Sequence, residues 1–139
     1  MRRLKTREQF QSAMAGATVS RTPHFALHQL SLAVDASPAS PAFDVADVWM
    51  GALVPKRWAK RAVTRNAIKR QIYAVSANFE QALPLAAHVV RLRSAFDRAK
   101  FVSAKSDVLR LALRAELQQL FARIAKPPAG VDAPQGHAA

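Results

Sequence analysis

Residues 54–75, VPKRWAKRAVTRNAIKRQIYAV, combine a dense run of positive charge with the apolar spacing of a helix. Ile68, Ile72 and Val75 recur at intervals of four and three, which places them on one stripe of an α-helix. At 3.6 residues per turn, the basic and amide side chains form a contiguous arc beside that stripe: Arg65, Asn66, Lys69 and Arg70. We therefore predict an amphipathic helix that begins near Ala62, buries its apolar stripe and exposes a cationic face.

The positive charge of this stretch has no compensating charge nearby, since no Asp or Glu occurs between Asp47 and Glu80. The chain of 139 residues has a net charge of +12 and a pI of about 11.5. A purely structural helix face usually relieves such repulsion with Glu one turn away, so a solvated basic face is the weaker interpretation. Arg and Asn side by side offer planar donors to phosphates and base edges. The pattern indicates a polyanionic partner, nucleic acid before membrane, and does not separate RNA from DNA.

Around this helix the hydrophobic pattern alternates between helical and extended segments. We predict a single α+β domain over residues 1–126, in the order αββαβα, with helices packed on one small sheet. Gly16 offers a stop to the first helix, and Gly51 marks a bulge or a close backbone approach within the second strand. The predicted helices cover about 7–15, from 62 to before Pro84, and 109–124; the strands cover 25–34, 48–54 and 88–93. The stretches 35–47 and 94–107 are read as a loop and an ambiguous segment, and residues 127–139 as a disordered tail.

Several functions are disfavoured by what the sequence lacks. There is no Cys, which removes disulfides and thiolate chemistry and fits a reducing cytoplasm. No apolar run approaches the ~20 residues that span a bilayer, and the charged N-terminus does not resemble a signal peptide. His24 and His28 lie four apart, but on a strand this spacing is too long for one metal ion, and His88 is expected to be structural. No grouping of Ser, His and Asp suggests a self-sufficient hydrolase, and a metal site on the protein is left unassigned.

The segment Arg61-Ala-Val-Thr-Arg65-Asn66-Ala-Ile68-Lys69-Arg70 resembles the signature helix of the bacterial ribonuclease P protein subunit, close to R-x-x-x-R-N-R-I-K-R. Other motifs agree with this family in order and spacing. Arg3-Leu4 followed by Phe10 is similar to its opening motif, residues 51–57 to its G-L-x-V-x-K-K strand, and residues 88–91 to its third strand. The resemblance covers roughly residues 3–125.

The resemblance implies a protein whose partner RNA is the ribozyme, which removes the 5′ leader of precursor tRNA with Mg²⁺ held mainly by RNA and substrate. It implies a cytoplasmic protein with two partners, ribonuclease P RNA and precursor tRNA, and no obligate protein partner. The family fold is αβββαβα-like, with a small mostly antiparallel sheet and a left-handed βαβ crossover, an exception to the usual hand. The implied contacts to the RNA subunit are Lys60, Arg61, Arg65, Asn66, Lys69 and Arg70. The implied contacts to the leader are Phe10, Met14, His28, Lys56 and Arg57.

Five positions depart from the family pattern. Ala67 stands where a second Arg is usual, Met14 where Phe is common, and His28 where Tyr is common; Tyr73-Ala74 stands where a charged pair is frequent.

The residues themselves leave two other classes of function open. A structural RNA-binding protein, such as a ribosomal component, would bind RNA without assisting cleavage. A DNA-binding regulator would need a dimer seam and a recognition helix, and it ranks last.

Overall fold

The computed structural model describes residues 1–32, 47–96 and 107–124. Within these ranges the chain forms a five-stranded sheet and three α-helices, which confirms the α+β class. A two-residue first strand precedes the αβββαβα order of the family, and a turn of 3₁₀-helix, Glu80–Ala82, follows the second helix. The elements are β1 Arg2–Arg3, α1 Arg7–Met14, β2 Ala17–Arg21, β3 Phe25–Ser31, β4 Trp49–Leu53, α2 Ala62–Asn78, β5 Ala86–Leu92 and α3 Asp107–Ala122.

The sheet has the strand order β1-β4-β5-β3-β2. β3 pairs antiparallel with both β5 and β2, and these two ladders hold more of the paired residues than the two parallel ladders, β4–β5 and β1–β4. The sheet is therefore mostly antiparallel, as predicted. The segment β4–α2–β5 is a parallel crossover, and its left hand stays a prediction from the resemblance.

Each face of the sheet buries a separate hydrophobic cluster, because successive side chains of a strand point to opposite faces. On one face α2 and α3 pack against Phe25, Leu27 and Met50. On the other face α1 packs against Trp49 and Val89. Burying one Leu or Phe contributes about 1.5–3 kcal/mol. The sheet is thus covered by two helices on one side and by a short helix on the other.

Helix α1 is fixed at both ends by local interactions. Thr6 and Gln9 form a capping box, in which the Thr6 hydroxyl accepts from Gln9 N at 3.1 Å and the Gln9 side chain accepts from Thr6 N at 3.2 Å. After the helix, a Cβ on Gly16 would lie 2.2 Å from the carbonyl oxygen of Gln29. Gly16 is therefore required because the chain passes directly over the backbone of β3.

Gly51 lets α1 lie directly on β4. A Cβ at this position would meet Leu4 Cδ1 and Phe10 Cε1, each at 2.7 Å. The close approach predicted from the sequence is confirmed, and its partners are side chains from the N-terminal segment.

A carboxylate on α3 ties that helix to the turn between β2 and β3. Glu116 accepts from the Thr22 hydroxyl at 2.6 Å, from His24 N at 2.7 Å and pairs with His24 Nδ1 at 2.8 Å. The His24 ring also stacks on Phe96, with centroids 3.9 Å apart. His24 is thus held away from His28. Across the described ranges no group of three or more His, Asp or Glu is placed to hold a metal ion.

His88 is a buried structural residue. Its Nδ1 lies 3.1 Å from the Trp49 carbonyl oxygen, and its Nε2 lies 3.2 Å from Gln29 Nε2. Desolvation by burial lowers the pKa of His88, although the backbone hydrogen bonds oppose that shift. The ring is therefore neutral, donating to the carbonyl and accepting from the amide.

Some predictions concern segments outside the described residues. The loop assigned to 35–47 falls there except for Asp47, the ambiguous segment 94–107 falls there between 97 and 106, and so does the predicted tail 127–139. None of the helices in the described ranges has the length and apolar character to cross a bilayer.

Candidate nucleic-acid interface

The cationic face predicted on α2 is exposed. Ile68, Ile72 and Val75 are buried against the sheet, and the side chains on the opposite arc face solvent. The exposed members of the set predicted to bind RNA are Lys60, Arg61, Asn66, Lys69 and Arg70. None of the ion pairs found in the described part of the chain includes a cation of this set. The charges therefore remain available to an external anion.

Arg65 differs from its neighbours because it is built into the fold. Its side chain is half-buried, and Nη1 donates to the carbonyl oxygens of Ala59 at 3.1 Å and Lys60 at 2.8 Å. These bonds connect the turn that precedes α2 to the fourth residue of the helix. Arg65 thus fixes the backbone that carries Lys60 and Arg61.

The N-terminus of α2 increases the positive potential of this surface. Arg61 is the N-cap residue and makes no side-chain cap hydrogen bond, and the first turn contains no acidic residue. A helix N-terminus carries about half a positive charge, which usually favours Asp or Glu in the first turn. Cationic side chains here add to the dipole, so an external anion would be stabilised by both.

An open groove of about 610 Å³ runs along the exposed face of α2. Its lining consists of Arg3, Asn66, Lys69, Arg70, Tyr73, Ala74 and Ala77. The guanidinium carbon of Arg3 lies 4.0 Å from the centroid of the Tyr73 ring, a cation–π contact. The groove thus combines three cations with an aromatic ring, an arrangement suited to a nucleic-acid backbone and an unpaired base.

Arg3 and Tyr73 were absent from the residues predicted to bind RNA. Arg3 pairs with Met50 in the register of β1 and β4, which places both on the α2 face of the sheet. The sequence shows Arg3 seventy positions before Tyr73, and nothing in the periodicity joins them. The two-residue strand β1 creates this part of the groove.

The residues predicted to bind the leader lie mainly on the opposite face of the sheet. Phe10 and Met14 are partly buried and pack against the cluster beneath α1. Lys56 and Arg57 are exposed in the turn after β4, where the Arg57 guanidinium lies 5.4 Å from the centroid of Trp58. The structure thus brings Phe10 and Met14 together on α1 and places the two cations at the carboxyl end of β4.

His28 is on the same face as α1, but its ring is not open to stacking. It is 7% exposed, with Nδ1 3.1 Å from the Thr18 hydroxyl and Nε2 3.2 Å from Nε of Arg91. Because Arg91 donates, Nε2 accepts, and the ring proton on Nδ1 points to Thr18. Burial is the main cause that lowers the pKa of His28, followed by the charges of Arg91 and Arg21. Arg91, which sequence reasoning did not assign to a site, is therefore the polar group that His28 supports.

Comparison with known proteins identifies a family. A family model described as Ribonuclease P matches residues 1–121. The chain is 37% identical over 125 residues to the ribonuclease P protein component of Bordetella parapertussis, covering 89% of this chain and 92% of that relative. It is 34% identical over 124 residues to the component of Bordetella avium, again covering 89% and 92%.

Solved structures share the fold. The RNase P protein of Staphylococcus aureus superposes with a TM-score of 0.63 at 19% identity, covering 91% of this chain and 99% of that one. The RNase P protein of Thermotoga maritima gives a TM-score of 0.61 at 18% identity, with coverages of 89% and 98%. With the matched family model and the Bordetella relatives, these findings show that the chain belongs to the Ribonuclease P protein family, the protein components of a tRNA-processing nuclease.

Proposed function

We propose that this chain assembles with the catalytic RNA of ribonuclease P and helps that RNA remove the 5′ leader of precursor tRNA in the cytoplasm. The observation that carries the proposal is the open cationic groove of α2. It includes Asn66, Lys69 and Arg70 of the family's signature helix, and the charges of that helix have no ion-pair partners in the described residues. The RNA performs the cleavage, and the protein binds and positions.

Binding to the RNA subunit is assigned to the α2 face. Lys69 and Arg70 are exposed cations on consecutive positions, and Arg61 stands at the positive end of the helix. Cations that neutralise phosphates release condensed counterions, so affinity falls steeply with salt. Each phosphate contact that is removed lowers the slope of log affinity against log salt by about 0.7–0.9.

Binding to the leader is assigned to the α1 face of the sheet. Phe10 and Met14 present apolar surface there, and Lys56 and Arg57 add positive charge at one end. A leader is single-stranded and variable in sequence, which suits a backbone-tracking cationic surface with limited stacking. On this chain the ring of His28 is buried, so it cannot stack on a leader base. Its polar contact is the hydrogen bond that it accepts from Arg91.

Mg²⁺ is assigned to the RNA and the substrate. Hard divalent cations are held by carboxylates and other oxygens. The described residues offer no such cluster, and the α2 and leader faces are cationic, so the chain's own donors do not fit a resident magnesium ion. The protein's contribution is to lower the repulsion between RNA phosphates, which reduces the Mg²⁺ concentration that the complex needs.

The decisive experiment measures cleavage of a precursor tRNA by the RNA subunit at low Mg²⁺, with and without this protein. Strong stimulation, with no cleavage by the protein alone, supports the proposal. Phe10→Ala should leave assembly with the RNA unchanged and weaken precursor binding; equal loss of both would assign Phe10 to the core alone. Tight RNA binding without stimulation would refute the proposal and favour a structural RNA-binding protein.

A further inference from the structure

A row of side chains crosses the α1 face of the sheet. The strand register aligns Arg21 of β2 with Ala26 of β3, Ala26 with Arg91 of β5, and Arg91 with Leu53 of β4. Arg91 lies on the α1 face because it is two positions from Val89 of that face. Its register partners Ala26 and Leu53 face the same way, and so does Arg21 as the partner of Ala26. Two arginines thus flank one small residue, about 10 Å apart at two strand spacings.

His28 holds Arg91 in this row. Its neutral ring accepts from Nε of Arg91 and is held in turn by Thr18, so the orientation of the guanidinium is fixed by a residue that is itself 7% exposed. Within the described ranges the Arg91 side chain makes no other hydrogen bond or ion pair. Four of the five N–H donors of its guanidinium, those on the two Nη atoms, are therefore left for a ligand.

We propose that Arg91 binds a backbone phosphate of the single-stranded leader, with His28 as its positioning residue and Arg21 adding a second positive charge. The inference rests on the proposed function and names a contact within it. The ligand is a phosphate because a fixed planar fork with paired donors matches phosphate oxygens, and because the leader varies in its bases and not in its backbone. Lys56 and Arg57, which follow β4 at the same end of the sheet, continue the charged path.

In this arrangement His28 acts without touching the leader. Protonation would convert its Nε2 from an acceptor into a donor and oppose the positive Arg91, and burial together with Arg91 and Arg21 disfavours that form. The neutral ring therefore stays available as an acceptor, and the arginine side chain loses little conformational freedom when it binds an anion.

The test uses the complex of the protein with ribonuclease P RNA and compares the dissociation constants for precursor tRNA and mature tRNA, which lacks the leader. The variants are Arg91→Gln, His28→Phe and the double variant, and the charge-matched control is Arg114→Gln, an exposed residue of α3. Arg91→Gln should weaken precursor binding about tenfold, the usual effect of losing a hydrogen-bonded charge, and leave mature tRNA binding unchanged. The salt slope for precursor binding should fall by about 0.7.

His28→Phe should weaken precursor binding less than Arg91→Gln does, and the double variant should be no weaker than Arg91→Gln alone, because His28 acts through Arg91. A second measurement changes the substrate instead of the protein, so that differences in protein folding cannot affect the comparison. It measures the dissociation constant of a precursor tRNA whose leader has uncharged methylphosphonate linkages. This precursor should bind the wild-type complex more weakly than one with a natural leader does, and this loss should be smaller in the Arg91→Gln complex, because one of the phosphate contacts is already absent there.

Two results would overturn the inference while leaving the proposed function intact. One is Arg91→Gln binding precursor as tightly as Arg114→Gln, and the other is equal losses for precursor and mature tRNA. A wild-type complex that binds precursor no better than mature tRNA would overturn leader binding itself, and with it both proposals.

Discussion

Arg65 should have two separable roles, one in folding and one in RNA binding. We expect Arg65→Ala to lower both the free energy of unfolding and the affinity for the RNA subunit. Lys69→Ala, on the same exposed arc, should lower only the affinity, because in the described structure Lys69 makes no bond that supports the backbone. The difference follows from the two carbonyl oxygens, of Ala59 and Lys60, that the Arg65 guanidinium binds at 3.1 and 2.8 Å.

The size of the folding effect can be estimated from these contacts. A hydrogen bond to a charged group contributes about 1.5–3 kcal/mol when its acceptor is left buried, and less when water can replace the donor. Arg65 is half-buried and the Lys60 contact is exposed, so the two bonds together should be worth about 1–2 kcal/mol. In a domain of this size that loss lowers the melting temperature by roughly 3–8 °C.

Urea unfolding and filter binding to the RNA subunit at several salt concentrations would measure the two effects on the same variants. Arg65→Lys should recover most of the salt slope and little of the stability, since Lys keeps the charge and loses the planar fork. An Arg65→Ala protein as stable as wild type would show that the bonds to Ala59 and Lys60 contribute nothing. An unchanged RNA affinity in the same variant would remove the centre of the proposed interface.

Three further predictions address other parts of the molecule. Gly51→Ala should destabilise the fold by about 1–3 kcal/mol, because its Cβ would lie 2.7 Å from Phe10 Cε1; urea unfolding would show this, and a stable variant would mean that α1 can shift freely. Tyr73→Leu should weaken RNA-subunit binding about three- to tenfold through loss of the cation–π and stacking surface, while Tyr73→Phe should bind like wild type; equal binding by all three would exclude the ring from the interface. The free energy of unfolding should fall as the pH drops below about 6.5: burial lowers the pKa of both His28 and His88 in the folded state, so the unfolded chain takes up protons first and is favoured. Urea unfolding between pH 7.5 and 5 would test this, and a flat profile would contradict it.

The sequence predicted a helix correctly wherever apolar residues recurred at helical spacing over several turns. The stripe of Ile68, Ile72 and Val75 predicted α2, and the recurrence of Leu109, Leu113, Leu117 and Leu120 at helical spacing predicted α3. The residue pattern alone missed β2, a strand that the αβββαβα order of the family implied, because residues 17–21 are short and contain a bulge between Thr18 and Ser20. β1 was missed because a two-residue strand exists only through its pairing with β4.

The sequence predicted fewer residues of the two candidate surfaces, because some of them come together only through strand pairing. The cations of α2 come from one continuous segment, so helical geometry alone places them together. Arg3 joins Tyr73, and Arg91 joins His28, only through strand pairing between distant segments. The resemblance supplied the position of His28, but its bond to Arg91 depends on a His where Tyr is common and on the pairing of β3 with β5.

The sheet separates the two proposed binding surfaces, so substitutions on one surface need not affect the other. The groove of α2 and the row around Arg91 lie on opposite faces, separated by a packed layer that contains Met50 and Val90. Substitutions at distant sites with no shared partner have additive effects. If the two faces bind the leader and the catalytic RNA as proposed, exchange of side chains on the α1 face can alter the preference for different leaders while the α2 face keeps its affinity for the catalytic RNA.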